Sequence, residues 1–200
     1  MPDIVTSLPI LALVALLSYL LGAVPFGMVT AKIFGLGNLR DIGSGNIGAT
    51  NVLRTGSKKA AALTLILDAG KGAAAVLIAR SVIGEDAAQA AGLFAFLGHL
   101  FPVYLRFKGG KGVATFLGIL LALSFVVGAA ACLIWLIVAL IMRYSSLSAL
   151  FASALSPIVA IISGHGSVSI LCCILAILIF ERHKSNIARL WNGQEPKIGK

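Results

Sequence analysis

Long apolar runs alternate with short polar gaps along almost the whole chain. The runs cover residues 8–34, 60–83, 87–105, 113–124, 127–142, 150–162 and 167–180. About 20 apolar residues cross a hydrocarbon core, and shorter runs serve where flanking side chains snorkel or the bilayer thins. The pattern therefore predicts an all-α integral membrane protein with seven transmembrane helices, folded as a single domain over residues 1–200.

Turn-forming residues divide these runs from one another. Gly22, Pro25 and Gly27 loosen or kink the second half of the first run. The acidic turn 84–86 predicts a helical hairpin, the segment 124–128 predicts a break between the fourth and fifth runs, and the glycine-rich turn 163–166 separates the last two. A tail from residue 181 onward is polar and predicts a short helix at the membrane surface.

Composition and charge fix the class and the direction of insertion. The chain is 59% hydrophobic and 12% charged, with a mean hydropathy of +1.02, which is too apolar for a water-soluble core. No basic residue precedes the first run, so it is not expected to be a signal peptide. Fourteen of the 16 basic residues lie in or beside segments 35–59, 106–112, 143–149 and 181–200, which seven spans put on one side. Basic segments stay cytoplasmic, so we expect the N-terminus outside and the C-terminus inside.

The excess positive charge defines the kind of partner that the protein attracts. A formal net charge of +9, concentrated on one membrane face, attracts lipid headgroups and anionic substrates. Nucleic acid is not expected, because the chain has no soluble basic domain. Cys132, Cys172 and Cys173 all fall in apolar runs, which predicts no disulfide, metal site or thiol nucleophile.

A polar, glycine-rich string follows the first run. Its glycines allow positive φ angles and close approach of backbone N–H groups to a ligand, and its hydroxyl, amide and guanidinium groups suit phosphate. The alternative is a polar turn with a simple helix cap. The candidate residues are Gly43, Ser44, Gly45, Asn46, Gly48, Thr50, Asn51 and Arg54.

Two ionisable residues interrupt the second run. Asp68 and Lys71 are three residues apart and share one helix face. Charged groups within a span usually face a protein interior or an aqueous cavity. Two interpretations stay open: the residues neutralise each other as a structural pair, or Lys71 contacts a substrate phosphate.

A second glycine-rich string precedes the fourth run. Loop N–H groups and the positive end of a helix would lie there beside two lysines, a combination that binds phosphate. The spacing is not that of a Walker A loop. A basic turn held by lipid headgroups would explain the lysines but not the glycines. The candidates are Lys108, Gly109, Gly110, Lys111, Gly112 and Thr115.

The remaining polar residues give weaker signals. His183 and Asn186 are three residues apart at the start of the tail and project to one side, and histidine is the side chain suited to proton transfer near neutral pH. His99 and His165 are interpreted as structural. The serines of segment 145–148 need no ligand by themselves.

Together, the strings at 44–54, 67–72, 98–99, 107–115 and 183–195 closely resemble the bacterial acyl-phosphate:glycerol-3-phosphate acyltransferase family. The resemblance covers almost the whole chain and consists of long, ordered motifs. It implies an integral protein of the bacterial cytoplasmic membrane whose active site faces the cytoplasm. The implied reaction moves a fatty acyl group from acyl phosphate to the 1-hydroxyl of glycerol 3-phosphate and yields lysophosphatidic acid.

The resemblance also implies roles for individual residues. It places Ser44, Arg54, Lys111, His183 and Asn186 in the catalytic group. It adds Ser146 to the substrate-binding residues drawn from both glycine-rich strings, leaves open which of the serines at 145, 146 and 148 has that role, and gives Glu195 the role of holding the tail in place. The expected partners are glycerol 3-phosphate, fatty acyl phosphate and membrane lipids. No metal or organic cofactor is expected, and nothing in the sequence identifies a protein partner.

Acyl phosphate is already activated, so positioning and charge stabilisation can supply much of the rate. The hydroxyl is expected to attack directly, with its proton passing to His183 or to a phosphate oxygen. None of the three histidines is followed by Asp at the spacing of His-Asp acyltransferases, which argues against acyl-CoA as the donor. Two other classes remain: a transporter of a small organic phosphate, and a structural membrane subunit that leaves the polar strings unexplained.

Overall fold

The computed structural model describes residues 2–199, and this part of the chain is all-helical, with no β-strand. Its α-helices are α1 Leu8–Ala23, α2 Phe26–Ile33, α3 Ala49–Leu53, α4 Lys58–Val82, α5 Glu85–Leu100, α6 Val113–Leu123, α7 Phe125–Met142, α8 Ser145–Ile162, α9 Ser169–Arg182 and α10 Lys184–Trp191. Three short 3₁₀ turns lie at Leu39–Asp41, Val103–Leu105 and Gly166–Val168. The predicted all-α class is confirmed.

The breaks between helices fall where the sequence predicted them. α1 ends before Pro25 and α2 begins after it, because proline lacks the N–H that would continue the helical ladder. α6 and α7 are separated at Ser124, whose hydroxyl accepts a hydrogen bond from Val127 N at 3.4 Å and so caps α7. The tail forms α10, in agreement with the predicted short helix.

Several helices have the length and composition of membrane spans. Five segments qualify: Leu8–Ile33, Lys58–Val82, Glu85–Leu105, Phe125–Met142 and Ser145–Ile162. The segment Gly166–Arg182 qualifies together with α10, from which it is bent by 63°. α6, with 11 residues, is shorter than a usual span. These helices are those of a multi-pass membrane protein.

Small residues allow the helices to pack closely. α1 packs on α5, and α4 packs on α6. A side-chain carbon at Gly118 would lie 2.8 Å from Ala69 Cα, so the α4–α6 contact requires glycine there. Such backbone proximity is how helices gain contact energy in lipid, where apolar side chains gain nothing by leaving the solvent. The largest buried side chains, including Phe96, Phe116 and Ile119, form a core among α4, α5, α6 and α9.

Polar contacts fasten the end of the bundle that lies away from the glycine-rich strings. The Asp86 carboxylate accepts hydrogen bonds from Val5 N at 3.0 Å and Thr6 N at 2.8 Å. Arg80 pairs with Glu85 at 2.8 Å and donates to the carbonyl of Leu123 at 3.0 Å, where α6 ends. Because the last carbonyls of a helix have no partner within it, this arginine satisfies part of the α6 C-terminus.

Candidate active site

A cavity of about 570 Å³ opens between α4, α6, α7 and the start of α8, at the end of the bundle where the glycine-rich strings lie. Most of the predicted site residues line it: Ser44, Asn46, Thr50, Asn51, Arg54, Asp68, Lys111, Gly112, Ser146, His183, Asn186 and Glu195. The predicted residues that do not line it are Gly43, Gly45, Lys71, Lys108, Gly109, Gly110 and Thr115. The tertiary structure thus brings three distant polar segments of the chain together.

Asn51 organises the first glycine-rich string. Its Oδ1 accepts hydrogen bonds from Ser44 N at 3.0 Å and Ser44 Oγ at 3.3 Å, and its Nδ2 donates to Leu39 O at 3.0 Å and Asn46 O at 2.7 Å. Only 1% of Asn51 is exposed. Its amide is therefore occupied in holding the loop, although it was predicted to bind substrate.

The glycines of this loop have different conformations. Gly43 and Gly45 have positive φ angles of 53° and 66°, as the sequence predicted. Gly48 does not: its φ of −83° is extended, because it stands at the N-cap of α3. A side-chain carbon at Gly43 would lie 2.7 Å from Arg54 Cδ, so this glycine leaves room for the arginine stem beside the cavity.

Arg54 and Thr50 reach the cavity from α3 and its end. The Arg54 guanidinium lies 3.5 Å from Asn51 Oδ1, and no carboxylate within residues 2–199 forms an ion pair with it. Arg54 lines the cavity, so its positive charge adjoins that space. Thr50 Oγ1 lies 3.1 Å from Ser145 Oγ, which joins this loop to the first turn of α8.

The second glycine-rich string folds back onto the C-terminus of α5. Gly109 N donates to Leu100 O at 3.2 Å and Gly110 N donates to His99 O at 3.1 Å. These two amides cap α5, so they are not free for phosphate, contrary to the expectation from sequence. The Lys108 side chain is exposed and lines neither of the cavities at this end of the bundle.

Lys111 and the first residues of α6 lie on the wall of the cavity. Gly112, with φ of 83°, turns the chain so that α6 begins at the cavity wall with Val113 and Ala114. The first N–H groups of a helix have no partner within it and favour anions. Burial lowers the pKa of Lys111 to about 8; the nearby Glu195 raises this pKa, whereas Arg189, Arg54 and Arg182 lower it. The cluster of positive charge is thus poised for an anion.

A chain of hydrogen bonds connects Lys111 to the tail. Lys111 Nζ donates to Asn186 Oδ1 at 2.5 Å, and Asn186 Nδ2 donates to Glu195 Oε1 at 2.6 Å. Glu195 also accepts from Ser146 Oγ at 2.7 Å and Arg189 Nε at 2.7 Å. Burial raises the pKa of Glu195, but these hydrogen bonds outweigh it and lower the pKa below its usual value. An ionised Glu195 therefore holds α8, α10 and Lys111 in one arrangement.

The three serines near the start of α8 have different surroundings. Ser146 is the one bonded to Glu195, and it is 5% exposed. Ser145 lies on the cavity wall against Thr50. Ser148 donates to the Tyr144 carbonyl of the preceding turn at 2.8 Å and does not line the cavity.

His183 stands at the bend between α9 and α10. Its Nδ1 lies 2.8 Å from the Ile179 carbonyl, which can only accept, so Nδ1 carries the proton and Nε2 has a free lone pair. Burial lowers the pKa of His183 to about 4, and the positive charge of Lys111 contributes in the same direction. His183 is therefore neutral near pH 7 and presents a hydrogen-bond acceptor to the site.

Two buried charged residues of α4 differ in their position, because Asp68 lines the cavity and Lys71 does not. Lys71 Nζ is 2.8 Å from Asp68 Oδ1 and donates to Val24 O at 2.8 Å, at the break between α1 and α2. Lys71 is thus paired and does not line the cavity, which favours the structural interpretation. Thr115 is likewise occupied, because its hydroxyl donates to the Asp68 carbonyl at 2.9 Å.

Sequence reasoning missed several residues of the site. His99, interpreted as structural, lines the cavity with its Nδ1 3.6 Å from Asp68 Oδ1. The apolar side of the cavity was also missed; it includes Leu53, Ala61, Ala62, Leu65, Leu117, Cys132, Trp135 and Leu136. The last three share one face of α7, but α7 is apolar on every face, so no pattern could single them out. Within the described residues, no group of His, Cys, Asp and Glu side chains could hold a metal ion.

Known proteins resemble this chain over nearly its whole length. The family profile described as glycerol-3-phosphate acyltransferase matches residues 12–193. Proteins named glycerol-3-phosphate acyltransferase from Jannaschia sp. and Dinoroseobacter shibae are 65% and 62% identical over 199 residues, which cover 100% of this chain and 98% of each relative.

Two solved structures share the fold. One is described as PlsY (YgiH), an integral membrane glycerol 3-phosphate acyltransferase, in the glycerol 3-phosphate form; it has a TM-score of 0.89 and 40% identity, covering 94% of this chain and 96% of that one. The second is the lysophosphatidic acid form, with a TM-score of 0.86 and 38% identity, covering 94% and 95%.

Proposed function

This chain belongs to the glycerol-3-phosphate acyltransferase family, and from that premise we propose that it transfers a fatty acyl group from acyl phosphate to the 1-hydroxyl of glycerol 3-phosphate. The products are lysophosphatidic acid and inorganic phosphate, as in the first acylation step of phospholipid synthesis. One observation carries the proposal: a single cavity joins a cationic, phosphate-ready end to an apolar wall formed by α4, α6 and α7. Glycerol 3-phosphate suits the first part, and a fatty acyl phosphate suits both.

The positively charged residues bind the phosphate groups in this reaction. Both substrates carry phosphate. Arg54 reaches the cavity from the first glycine-rich string, and Lys111 reaches it from the second. Together with the N-terminus of α6 they neutralise the phosphates and stabilise the charge on the leaving phosphate. Groups fixed in advance do this without reorganising during the reaction, which is the largest source of catalysis in many enzymes.

The chemical step is one displacement. The 1-hydroxyl oxygen forms a bond to the acyl carbonyl carbon, and the bond from that carbon to the phosphate oxygen breaks. The hydroxyl proton goes to the leaving phosphate, because burial lowers the pKa of His183 to about 4 and so makes its imidazole a weak base. His183 Nε2 then acts by accepting a hydrogen bond that orients the hydroxyl.

We also propose seven spans with the N-terminus outside and the active site facing the cytoplasm of the bacterial inner membrane. α4 extends from the cavity to Arg80, and Arg80 also contacts the end of α6. The short α6 therefore connects the cavity to the far end of the bundle, and it needs few residues because the cavity is recessed. The concentration of basic residues around the cavity supports the cytoplasmic side.

To test this function, purified protein is incubated with palmitoyl phosphate and labelled glycerol 3-phosphate. A parallel reaction contains palmitoyl-CoA as the acyl donor instead. Labelled lysophosphatidic acid is expected from the acyl phosphate alone. Arg54→Ala and Lys111→Ala should lower the rate at least about a hundredfold, the scale of losing one group that stabilises the transition state. No product from either donor with folded wild-type protein would contradict the proposal. Uptake of labelled glycerol 3-phosphate into sealed vesicles would then support a transporter.

A further inference from the structure

A second cavity, of about 360 Å³, adjoins the active-site cavity. The two cavities share Ser44, Asn46 and Lys111, so these side chains form the wall between them. The linings differ in character. The second cavity is lined only by charged residues, by serine and asparagine, and by glycine, whereas the first has a broad apolar side.

Two arginines are fixed at this second cavity by the second glycine-rich string. Arg182 donates to Gly110 O at 3.1 Å and to Gly109 O at 3.2 Å. Arg40 donates to Gly45 O at 3.2 Å and to the carbonyl of Lys108. The two guanidinium groups are therefore held on three consecutive residues, 108–110, and their like charges lie close together.

Neither guanidinium has an ion-pair partner in the part of the chain that the structure describes. Among residues 2–199, no carboxylate forms an ion pair with Arg40 or Arg182. Glu181 does line the cavity, but its carboxylate pairs with Lys184 at 2.6 Å. With Lys111 included, four positive groups and one negative group surround this space, which is an environment for an anion.

The proposed reaction supplies the anion. Each turnover brings in one water-soluble phosphate, glycerol 3-phosphate, and releases another, inorganic phosphate, while the acyl phosphate and the lysophosphatidic acid are lipids. An apolar wall suits the lipids, and a wholly polar cavity does not.

We propose that the second cavity is a vestibule that binds the phosphate group of water-soluble ligands on their way to or from the active site. This proposal rests on the function proposed above. Lys111 faces both cavities and passes the phosphate between them. The vestibule accordingly concentrates phosphate beside the reaction centre but takes no part in the bond changes.

Two charge substitutions with opposite expected effects test the vestibule. Lys184→Glu reverses a charge on the vestibule wall, and Glu181→Gln removes the carboxylate that lines it. Both side chains are largely exposed, with 72% and 56% of their surface accessible. Lys59→Glu is the control, because it makes the same charge change at an exposed residue that lines neither cavity.

Initial rates with palmitoyl phosphate give the KM for glycerol 3-phosphate, the inhibition constant of inorganic phosphate, and the KM for the acyl donor. At low salt, Lys184→Glu should raise either the KM for glycerol 3-phosphate or the inhibition constant of inorganic phosphate by about three- to tenfold. Glu181→Gln should lower whichever of these two constants Lys184→Glu raises. These changes should shrink in about 1 M sodium chloride, where the screening length is about 3 Å. The KM for palmitoyl phosphate should change less, and Lys59→Glu should match the wild type.

The two constants identify the ligand that uses the vestibule. A change in the KM for glycerol 3-phosphate assigns it to the entering substrate, and a change in the phosphate inhibition constant assigns it to the leaving product. If wild-type enzyme forms lysophosphatidic acid and both variants keep wild-type values of both constants, the vestibule is wrong while the proposed function stands. A wild type that forms no product would instead contradict the proposed function.

Discussion

At the scale of single residues, the site depends on buried polar groups that hold one another in place. Lys111 contacts Asn186, Asn186 contacts Glu195, and Glu195 contacts Ser146. The buried polar groups that make these three contacts are paired with one another, which avoids the cost of leaving them unsatisfied. Removal of one member should therefore affect the position of the others.

Deprotonation of Lys111 should lower the activity at alkaline pH. Because burial lowers the pKa of Lys111 to about 8, its ammonium group is charged below that pH and neutral above it. The kcat/KM for glycerol 3-phosphate should be level near pH 7 and fall about tenfold per pH unit well above 8. Lys111→Arg should retain activity at higher pH, since a guanidinium group stays protonated throughout this pH range. An unchanged alkaline limb in Lys111→Arg would assign the limit to another group.

Ser146 and Ser148 of α8 should contribute differently to the free energy of unfolding, because their hydroxyls have different hydrogen-bond partners. Ser146→Ala removes a hydrogen bond to an ionised carboxylate and should lower the free energy of unfolding by about 1.5–3 kcal/mol. Ser148→Ala removes only a hydrogen bond to the Tyr144 carbonyl of the preceding turn, so it should change the free energy of unfolding by less than about 1 kcal/mol. Thermal unfolding in detergent measures both, and equal losses would refute a special role for Ser146.

At the scale of helices, close backbone contacts position the cavity. α4 supplies one wall of the cavity and α6 begins at another, so the distance between these helices decides its width. Gly118 and Gly72 lie at their contact, where a side-chain carbon would meet the facing helix.

A matched pair of glycine substitutions tests that contact. Gly118→Ala should destabilise the protein by about 1–3 kcal/mol, because the added carbon would lie 2.8 Å from Ala69 Cα. Gly70→Ala, also helical, meets nothing within 4 Å and should be neutral or stabilising by about 1 kcal/mol. Unfolding temperature in detergent provides the comparison, and a stable Gly118→Ala variant would show that α4 and α6 can separate at little cost.

At the scale of the whole molecule, the cavity lies where polar loops from one end of the bundle meet lipid-facing helices. This position allows a water-soluble phosphate and a fatty acyl chain to reach one point from different surroundings. The polar groups come from the loops and the tail, and the apolar wall comes from α4, α6 and α7.

The apolar wall should control the length of the acyl chain. Cys132 lines the cavity, whereas Cys173 is exposed on the outer surface of α9. Cys132→Trp should narrow the cavity and lower the ratio of kcat/KM for palmitoyl phosphate to that for octanoyl phosphate by about tenfold, the equivalent of about two buried methylenes. Cys173→Trp should leave the ratio unchanged. Equal ratios in the two variants would mean that the acyl chain lies elsewhere.

Much of the site could be predicted because polar residues are conspicuous against an apolar chain. Arg54, Lys111, His183 and Asn186 stand in the gaps between runs, and the structure places all four on one cavity. Roles within the gaps were harder to predict. The amides of Gly109 and Gly110 looked available for phosphate, but the open C-terminus of α5 takes both.

The sequence by itself determined the all-α membrane class, the breaks at Pro25 and Ser124, and the polar segments that carry the chemistry, because each depends on local composition. Only the tertiary structure decided which face of α7 lines the cavity and that Lys71 is paired away from it. The physical reason is the solvent. In water, a buried helix face differs in polarity from an exposed one, but in a bilayer both faces are apolar, so packing alone selects the face.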